Sequence, residues 1–481
     1  MAPDAVMARI VLLSAAVAFG AEALAPKKIE GPWPAAFPAK DLCSNCGLCV
    51  TDVGIASVTE ACAFIGDGMS RAEALEERVH GRGRRYSAED LNEAHFGVFR
   101  EMVLARGAVA GAQWTGVATG IAQSWLEAGA VDAVVVAGGS DAGGFGSPEA
   151  VLCRTVDDVL RGRRVKPSLC PSLSVLDDVA RDASITRLLF CGVGCAVQAL
   201  RGLNGGDPEA ALGLDDGGLF VLGTHCVDNS PSPEAAANFV AALPGVGAAR
   251  AADVLAYEFM ADFRVHARLR EADGSETTAK DAYMALPPSV GIPSIARSCF
   301  SCFDYTNGLA DVVVGYMGAP FGDGDEMTTA DLMVTVRNAR GAAMLAAAEA
   351  AGRVTVTRRG DLPTSGDRKN IAMKTVYGDS MVKSLTDPTY APGDRGAPRW
   401  VANILAAVIA KGLPKGLEFA RYSIDYHYLR NALFVDDAMG ASRAARHIPA
   451  YAKALMRPYD GDMDRLRRPK AQERPFPLNL L

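Results

Sequence analysis

No stretch of this 481-residue chain holds the roughly 20 consecutive apolar residues that a membrane-crossing helix needs. IVLLSAAVAFG near the start is too short, and WVANILAAVIA (400–410) suits a core or membrane-surface helix better. Positive charge is not in excess either. There are 49 Lys and Arg against 56 Asp and Glu, a net charge of -7, and no basic stripe interleaved with aromatics, which argues against a nucleic-acid partner. Histidine is scarce: the six residues show no H-x-x-x-H or H-E-x-x-H spacing, which argues against mononuclear metal catalysis. The nucleophile elbow G-x-S-x-G and the dinucleotide fingerprint G-x-G-x-x-G are both missing. Internal repeats and low-complexity tracts are absent too. A composition 49% hydrophobic and 22% charged describes a globular protein with a sizeable core, of two to four domains by length.

Cysteine is what the chain does have: eleven. CSNCGLC places Cys43, Cys46 and Cys49 at two-residue gaps, with Cys62 further on. Three evenly spaced thiolates on one loop wrap a cubane iron–sulfur cluster, and Cys62 is the natural fourth ligand. Zinc is the alternative, although its sites more often show paired C-x2-C knuckles. A second set comprises Cys299 and Cys302 in SCFSC, with Cys191, Cys195 and Cys226 near expected strand ends. These form a second four-thiolate site or are core thiols; the spacing leaves both open. Cys191, within its strand, reads as a small buried hydrophobe, and Cys153 and Cys170 as structural.

Residues 1–27 resemble a targeting leader, with one Arg, a short apolar run and small residues before Pro26. A Pro-rich linker follows (31–40), and the Cys-rich segment with its polar continuation fills 38–107. From 108 to 230, short apolar strands alternate with helices, as in VDAVVVAGGSD, TRLLFCGVGCAVQALRGL and LFVLGTHCVDN. GAQWTGVATG and FCGVGC are glycine-bearing turns into helices, able to offer backbone N–H groups to a phosphate or flavin. His225 lies beside the presumed crevice, as a proton donor or a structural residue. The part 231–345 carries a hairpin signal at Asp273-Gly274 and the C-x2-C loop. In 346–481, the Gly-, Pro- and Asp-rich stretch 358–398 reads as an irregular connection and 400–456 as helical. The expected class is α/β: a mostly parallel central sheet, an N-terminal ferredoxin-like iron–sulfur segment and a helical C-terminal region.

Together CSNCGLC, VTEACAFIGDGMSR, HGRGR, GAQWTG, RLLFCGVGCAVQALR, VLGTHCVDN, SCFSCFDYTNGLADVVVGYMGAP and PKGLEFARYSIDYHYLRN resemble the 7-hydroxymethyl chlorophyll a reductases of plastids. The ferredoxin-dependent 8-vinyl (divinyl chlorophyllide) reductases are similar too, within the superfamily of deazaflavin-reducing hydrogenase and dehydrogenase beta subunits. The resemblance implies a plastid reductase, in the stroma or in a complex plastid, that binds FAD and two 4Fe–4S clusters. Reduced ferredoxin would feed it and a chlorophyll-type tetrapyrrole would be its substrate. It assigns Cys43, Cys46, Cys49 and Cys62 to one cluster and Cys195, Cys226, Cys299 and Cys302 to the other. It assigns Gln113, Trp114, Thr115, Gly116, Gly192, Val193, Gly194, Thr224, Asp228, Asn229, Arg337 and Asn338 to the flavin. Ferredoxin gives single electrons, whereas reducing the pigment takes two electrons and two protons; clusters relay the singles and a flavin stores the pair. Departures fall at Ala196, where relatives carry Gln, at the Gly-rich stretch 136–148, and in GDLPTSGDRKNIAMKTVYGDSM. They leave open three readings: 7-hydroxymethyl reduction, 8-vinyl reduction, or an electron-transfer subunit of a larger complex. A zinc-structured binding protein is a further rival.

Overall fold

The computed structural model describes residues 39–139, 145, 147–322 and 325–467. The expected leader and most of the Pro-rich linker lie outside the described residues, as does much of the Gly-rich stretch after the first central strand.

An eight-stranded sheet forms the centre. Its strands are β1 (Glu101–Gly107), β2 (Ala133–Gly138), β3 (Glu149–Cys153), β4 (Leu188–Val193), β5 (Leu219–Thr224), β9 (Val312–Gly315), β10 (Leu332–Val336) and β11 (Val354–Arg358). They lie in the order β11-β1-β10-β9-β5-β4-β2-β3. Parallel pairing links β2, β4, β5 and β9, whereas β3 at one edge and β10, β1 and β11 at the other pair antiparallel. The expected parallel arrangement is therefore confined to the four middle strands, and the sheet as a whole is mixed. Connection length explains the difference. A parallel neighbour needs a crossover of about a dozen residues or more, usually helical; the link 139–148 is shorter than that and the described residues of 316–331 contain no helix, so β3 and β10 fold back beside their predecessors. The middle strands are buried on both faces and accordingly read as near-continuous apolar runs.

Helices α2 (Val117–Glu127), α3 (Gly194–Arg201) and α5 (Ala339–Ala350) pack on the sheet. Between β5 and β9 sits α4 (Pro233–Ala241), followed by a small antiparallel sheet of β6 (Val254–Phe259), β7 (Arg264–Arg270) and β8 (Glu276–Ala282). The β7–β8 hairpin turns at Asp273-Gly274, as its sequence predicts, with Gly274 at φ +83°.

The stretch 358–398 is not the irregular connection expected. It contains α6 (Arg368–Gly378) and a seven-residue helix, Ser380–Thr386. Asp367 and Asp379 start them, their carboxylates accepting from the N–H groups of Lys369 and Met381. These caps were the missed signal. Beyond lie α7 (Arg399–Gly412), α8 (Leu417–Met439) and α9 (Asp460–Arg467). A two-residue pair, β12 (Thr364–Ser365) with β13 (Lys415–Gly416), ties the start of this region to the foot of α8. Among the described residues, no helix is long and apolar enough to cross a membrane.

Part of the basic HGRGRR stretch turns inward. After α1 (Ala72–His80), Arg84 is buried against Glu76 at 2.5 Å, with its guanidinium 3.6 Å from the centre of the Tyr451 ring. Removing one partner of such a pair leaves an uncompensated buried charge, at about 3–5 kcal/mol. Arg84→Met should therefore lower the melting temperature markedly, and Glu76→Leu added to it should restore much of the loss, as followed by circular dichroism.

Candidate functional site

The Cys-rich segment folds as short turns around a small cavity lined by Cys43, Cys46, Cys49 and Cys62. Gly47, at φ +89°, makes the reversal between Cys46 and Cys49, and a Cβ there would fall 2.9 Å from the Ser174 nitrogen. The segment is pinned to the α/β core by Leu173 N–H donating to the Cys46 carbonyl at 2.8 Å. Asp177 adds to this by accepting from the N–H groups of Asp52 and Val53. Burial pushes the Cys43 thiol up to about 11 and raises those of Cys46, Cys49 and Cys62. Four thiols gathered where thiolate is costly are a donor set suited to a cationic cluster.

The C-terminal ends of β4 and β5 open onto a second cavity of about 530 Å³, within the range of cofactor and ligand sites. Cys195, Cys226, Cys299 and Cys302 all line it. Cys195 interacts electrostatically with the other three and also with Cys43 and Cys46, so it stands between the two cysteine groups. Burial raises all four thiols, Cys195 to about 11 and Cys299 to about 12. No group of three or more Cys, His, Asp or Glu among the described residues is placed to hold a metal ion; the thiols are spread over cavity walls instead.

Arg430 of α8 holds this wall in place. Its guanidinium forks onto Asp228, at φ +59° just past β5, with contacts of 2.7 and 2.8 Å. The neighbouring Asn431 donates to the carbonyls of both Cys299 and Cys302, at 3.0 and 2.7 Å. Burial alone would raise the Asp228 carboxyl, but Arg430 overrides it and holds the group well below the usual carboxylate range.

Gln113, Trp114 and Gly116 form another wall. Trp114, Thr115 and Gly116 have φ of 51°, 54° and 80°, a left-handed run costly for non-glycine residues. Its surroundings enforce it: Trp114 N–H donates to the Met327 carbonyl, Gly107 N–H to the Thr115 hydroxyl, and the Trp114 ring stacks on Tyr316 at 5.3 Å. Trp114 Nε1 donates to Glu258 Oε2 at 2.7 Å, and Gln113 Nε2 to the same oxygen at 3.3 Å. Despite these donors, burial pushes the Glu258 carboxyl up to about 8. Glu258 lies within YEFM at the end of β6, and nothing in that motif's pattern marked it as a site residue. His225 also lines the cavity; burial lowers it to about 3, and its Nδ1 has no hydrogen-bond partner.

Gln113, Trp114, Gly116, Gly192, Val193, Gly194, Thr224, Asp228 and Asn229 thus share one cavity. Thr115 faces the β1 backbone instead. Arg337 and Asn338 lie outside the lining: Arg337 is buried, donating to the carbonyls of Phe96, Val98 and Thr306, and Asn338 caps α5 and donates to Asp311. Cys191 lines the cavity beside the flavin-assigned glycines, while Cys153 is buried in the core.

Two family models match this α/β core, and both are of one class, the coenzyme F420 hydrogenase/dehydrogenase beta subunit. The model of that subunit's N-terminal part matches residues 102–177, and the model of its C-terminal part matches residues 185–361. Within that class, the chain belongs to the 7-hydroxymethyl chlorophyll a reductase family. It is 46% identical over 89% of its length, and 84% of the relative's, to the chloroplastic 7-hydroxymethyl chlorophyll a reductase of Oryza sativa subsp. japonica. It is 38% identical to the uncharacterized protein all1601 of Nostoc sp., covering 88% of this chain and 94% of that one. A solved structure of the F420-reducing NiFe hydrogenase complex from Methanosarcina barkeri contains a chain 21% identical to this one. The TM-score is 0.44, over 63% of this chain and 97% of that one.

Because Asp228 titrates lower folded than unfolded, its contribution to stability is complete above about pH 4 and is lost as pH falls through the depressed folded value. Arg430→Met should remove that contribution, costing about 3–5 kcal/mol near neutral pH. It should also move the midpoint of acid unfolding to higher pH, a shift readable by fluorescence titration.

Proposed function

We propose that this protein is a plastid reductase that draws single electrons from reduced ferredoxin and converts 7-hydroxymethyl chlorophyll a to chlorophyll a. The observation that carries the reading is the 46% identity to the rice reductase over 89% of this chain and 84% of that one, well beyond one shared domain. Cys43, Cys46, Cys49 and Cys62 would hold one 4Fe–4S cluster, and Cys195, Cys226, Cys299 and Cys302 the second. FAD would lie against Gln113, Trp114, Gly116, the Gly192–Gly194 turn and Thr224 to Asn229. When bound, these groups accept electrons singly and release them as a pair.

The chain's own part is placement and exclusion. Gly116, Gly192 and Gly194 line the cavity with no side chains of their own. A Cβ at Gly194 would fall 2.7 Å from Asp304 Oδ2, so that turn has no room for a larger residue. Tyr257, Phe259, Phe263 and Tyr426 supply broad apolar faces suited to a planar macrocycle, and keep water from the site. Phe259 is 39% exposed, an apolar rim in keeping with a hydrophobic substrate.

The deciding test is anaerobic incubation of the holoprotein with reduced ferredoxin and both 7-hydroxymethyl chlorophyll a and divinyl chlorophyllide, followed by chromatography. Chlorophyll a should form while the vinyl pigment is untouched. An 8-ethyl product alone would overturn the assignment in favour of vinyl reduction, and turnover of neither would favour an electron-transfer subunit. In parallel, Cys302→Ala should lose about half of the bound iron, and Cys302→Ala with Cys46→Ala nearly all of it, by iron analysis. Iron content unchanged in both would refute the cluster assignment.

A further inference from the structure

Reduction of a hydroxymethyl group to a methyl group expels its oxygen, and hydroxide is a poor leaving group unless a proton meets it. We infer that Glu258 is the acid that delivers this proton, an assignment resting on the reading above. The C–O bond breaks as the Glu258 O–H proton passes to the departing oxygen, which leaves as water. The carbon takes up a hydride, two electrons and one proton, from the two-electron carrier that ferredoxin recharges. Glu258, left as carboxylate, regains its proton from solvent before the next turnover.

Position is the first support. Glu258 closes β6 where the small sheet meets the Gln113–Gly116 loop, and its side chain lines the large cavity. Tyr257 and Phe259 on either side of it line the same cavity, so the acid stands in the apolar wall fitted to a macrocycle. Orientation is the second. Trp114 Nε1 and Gln113 Nε2 both donate to Oε2, so Oε1 is the oxygen that takes no donor from a described residue. A carboxylic acid fixed through one oxygen, with no donor from the described residues on the other, suits proton donation.

Protonation is the third support. The Glu258 carboxyl interacts with Tyr316, whose phenol burial holds far above its ordinary value, and no guanidinium, ammonium or imidazolium pulls it down. Burial therefore wins, and the group carries its proton up to about pH 8. Filling the cavity with an apolar ring system removes more water and strengthens this effect. Besides its thiols and phenols, the other titratable groups lining the cavity are Lys166, Arg164, Arg264, Arg430, Asp228, Asp304, Asp379, His225 and His427. Lys166 needs separating from Glu258, since burial lowers it to about 8 as well; its ammonium donates to the carbonyls of Arg163 and Arg164.

The test compares holoprotein carrying Glu258→Gln, Glu258→Asp, Lys166→Met or His225→Asn with the unaltered chain. In single-turnover reduction of 7-hydroxymethyl chlorophyll a, the unaltered rate should be level below about pH 8 and fall tenfold per pH unit above it. E258Q should lower the level rate about 10²–10⁴-fold and abolish the alkaline fall, while E258D retains it. K166M and H225N should keep the fall. Infrared difference spectra without pigment supply a readout independent of turnover: a protonated carboxyl band should vanish between pH 7 and 9 in the unaltered protein and be missing in E258Q. Because Glu258 titrates higher folded than unfolded, it destabilises the fold progressively from about pH 4.5 to 8. E258Q should thus raise the melting temperature at pH 8 and leave it unchanged at pH 4. Turnover by the unaltered chain, together with an E258Q profile that keeps its alkaline fall, overturns this inference alone. A fall that disappears in K166M or H225N instead does the same. No turnover by the unaltered chain overturns the functional reading, and with it the role given to Glu258.

Discussion

One ion pair joins the two halves of the molecule at the point where its chemistry would occur. Arg430 and Asp228 are both withdrawn from water, and an isolated charge in such a place costs several kcal/mol. Each makes the other's burial tolerable. Asp228 ends a strand of the α/β core with positive φ, and Arg430 lies in the middle of a 23-residue helix of the C-terminal region. Their fork holds the helix to the strand end, and Asn431, one residue on, thereby reaches both carbonyls of the C-x2-C loop. The cavity wall, the placement of four thiols and the seat of α8 all follow from that contact.

A shared physical theme runs through the rest of the site. Burial raises eight thiols and one glutamic acid together, because each is ionised only at the expense of solvation. For the thiols the effect favours capture of positively charged metal; for Glu258 it favours keeping a proton. Asp228 is the exception, since it alone among these groups has a guanidinium in bidentate contact. The two cavities are also continuous in their lining: Ser44 and Cys46 contribute to both, and Ser44 hydrogen-bonds the Cys195 thiol. The N-terminal cysteine loop is therefore built into the same core as the strand-end thiols.

Much of this was legible in the chain itself. Apolar runs ending in Gly-rich turns located β2, β4, β5 and α3, and the C-x2-C-x2-C spacing located the first thiol group. The flanking strands were hidden for a definite reason. β1, β3 and β11 carry charged or half-exposed residues, so their periodicity is diluted, and their direction is settled by pairings that no local pattern announces. The two helices between residues 368 and 386 escaped because α6 has a polar composition, and only the capping aspartates announce them. Arg337 and Asn338 show the converse limit. Their motif marks them, but their donors are spent on carbonyls and a cap within the scaffold. No motif gave Glu258 a role; its significance arises from a tryptophan 144 residues earlier in the chain.

The spread of the strand-end thiols along the chain bears on how the protein is made. Cys195, Cys226, Cys299 and Cys302 come from segments widely separated in sequence, and the clamp that fixes their loop arrives only with residues 430 and 431. A ribosome releases these parts in order, over many seconds. The first cysteine loop is whole by Cys62, but its seat on residues 171–174 is made later, and the wall of the large cavity is complete only when α8 has emerged. Biogenesis thus has a built-in sequence: the N-terminal cysteines are together while the chain is still growing, whereas the inner thiols are brought together only in a nearly finished polypeptide. A truncation before α8 would leave a protein with an intact sheet and no means of holding its inner thiols in place.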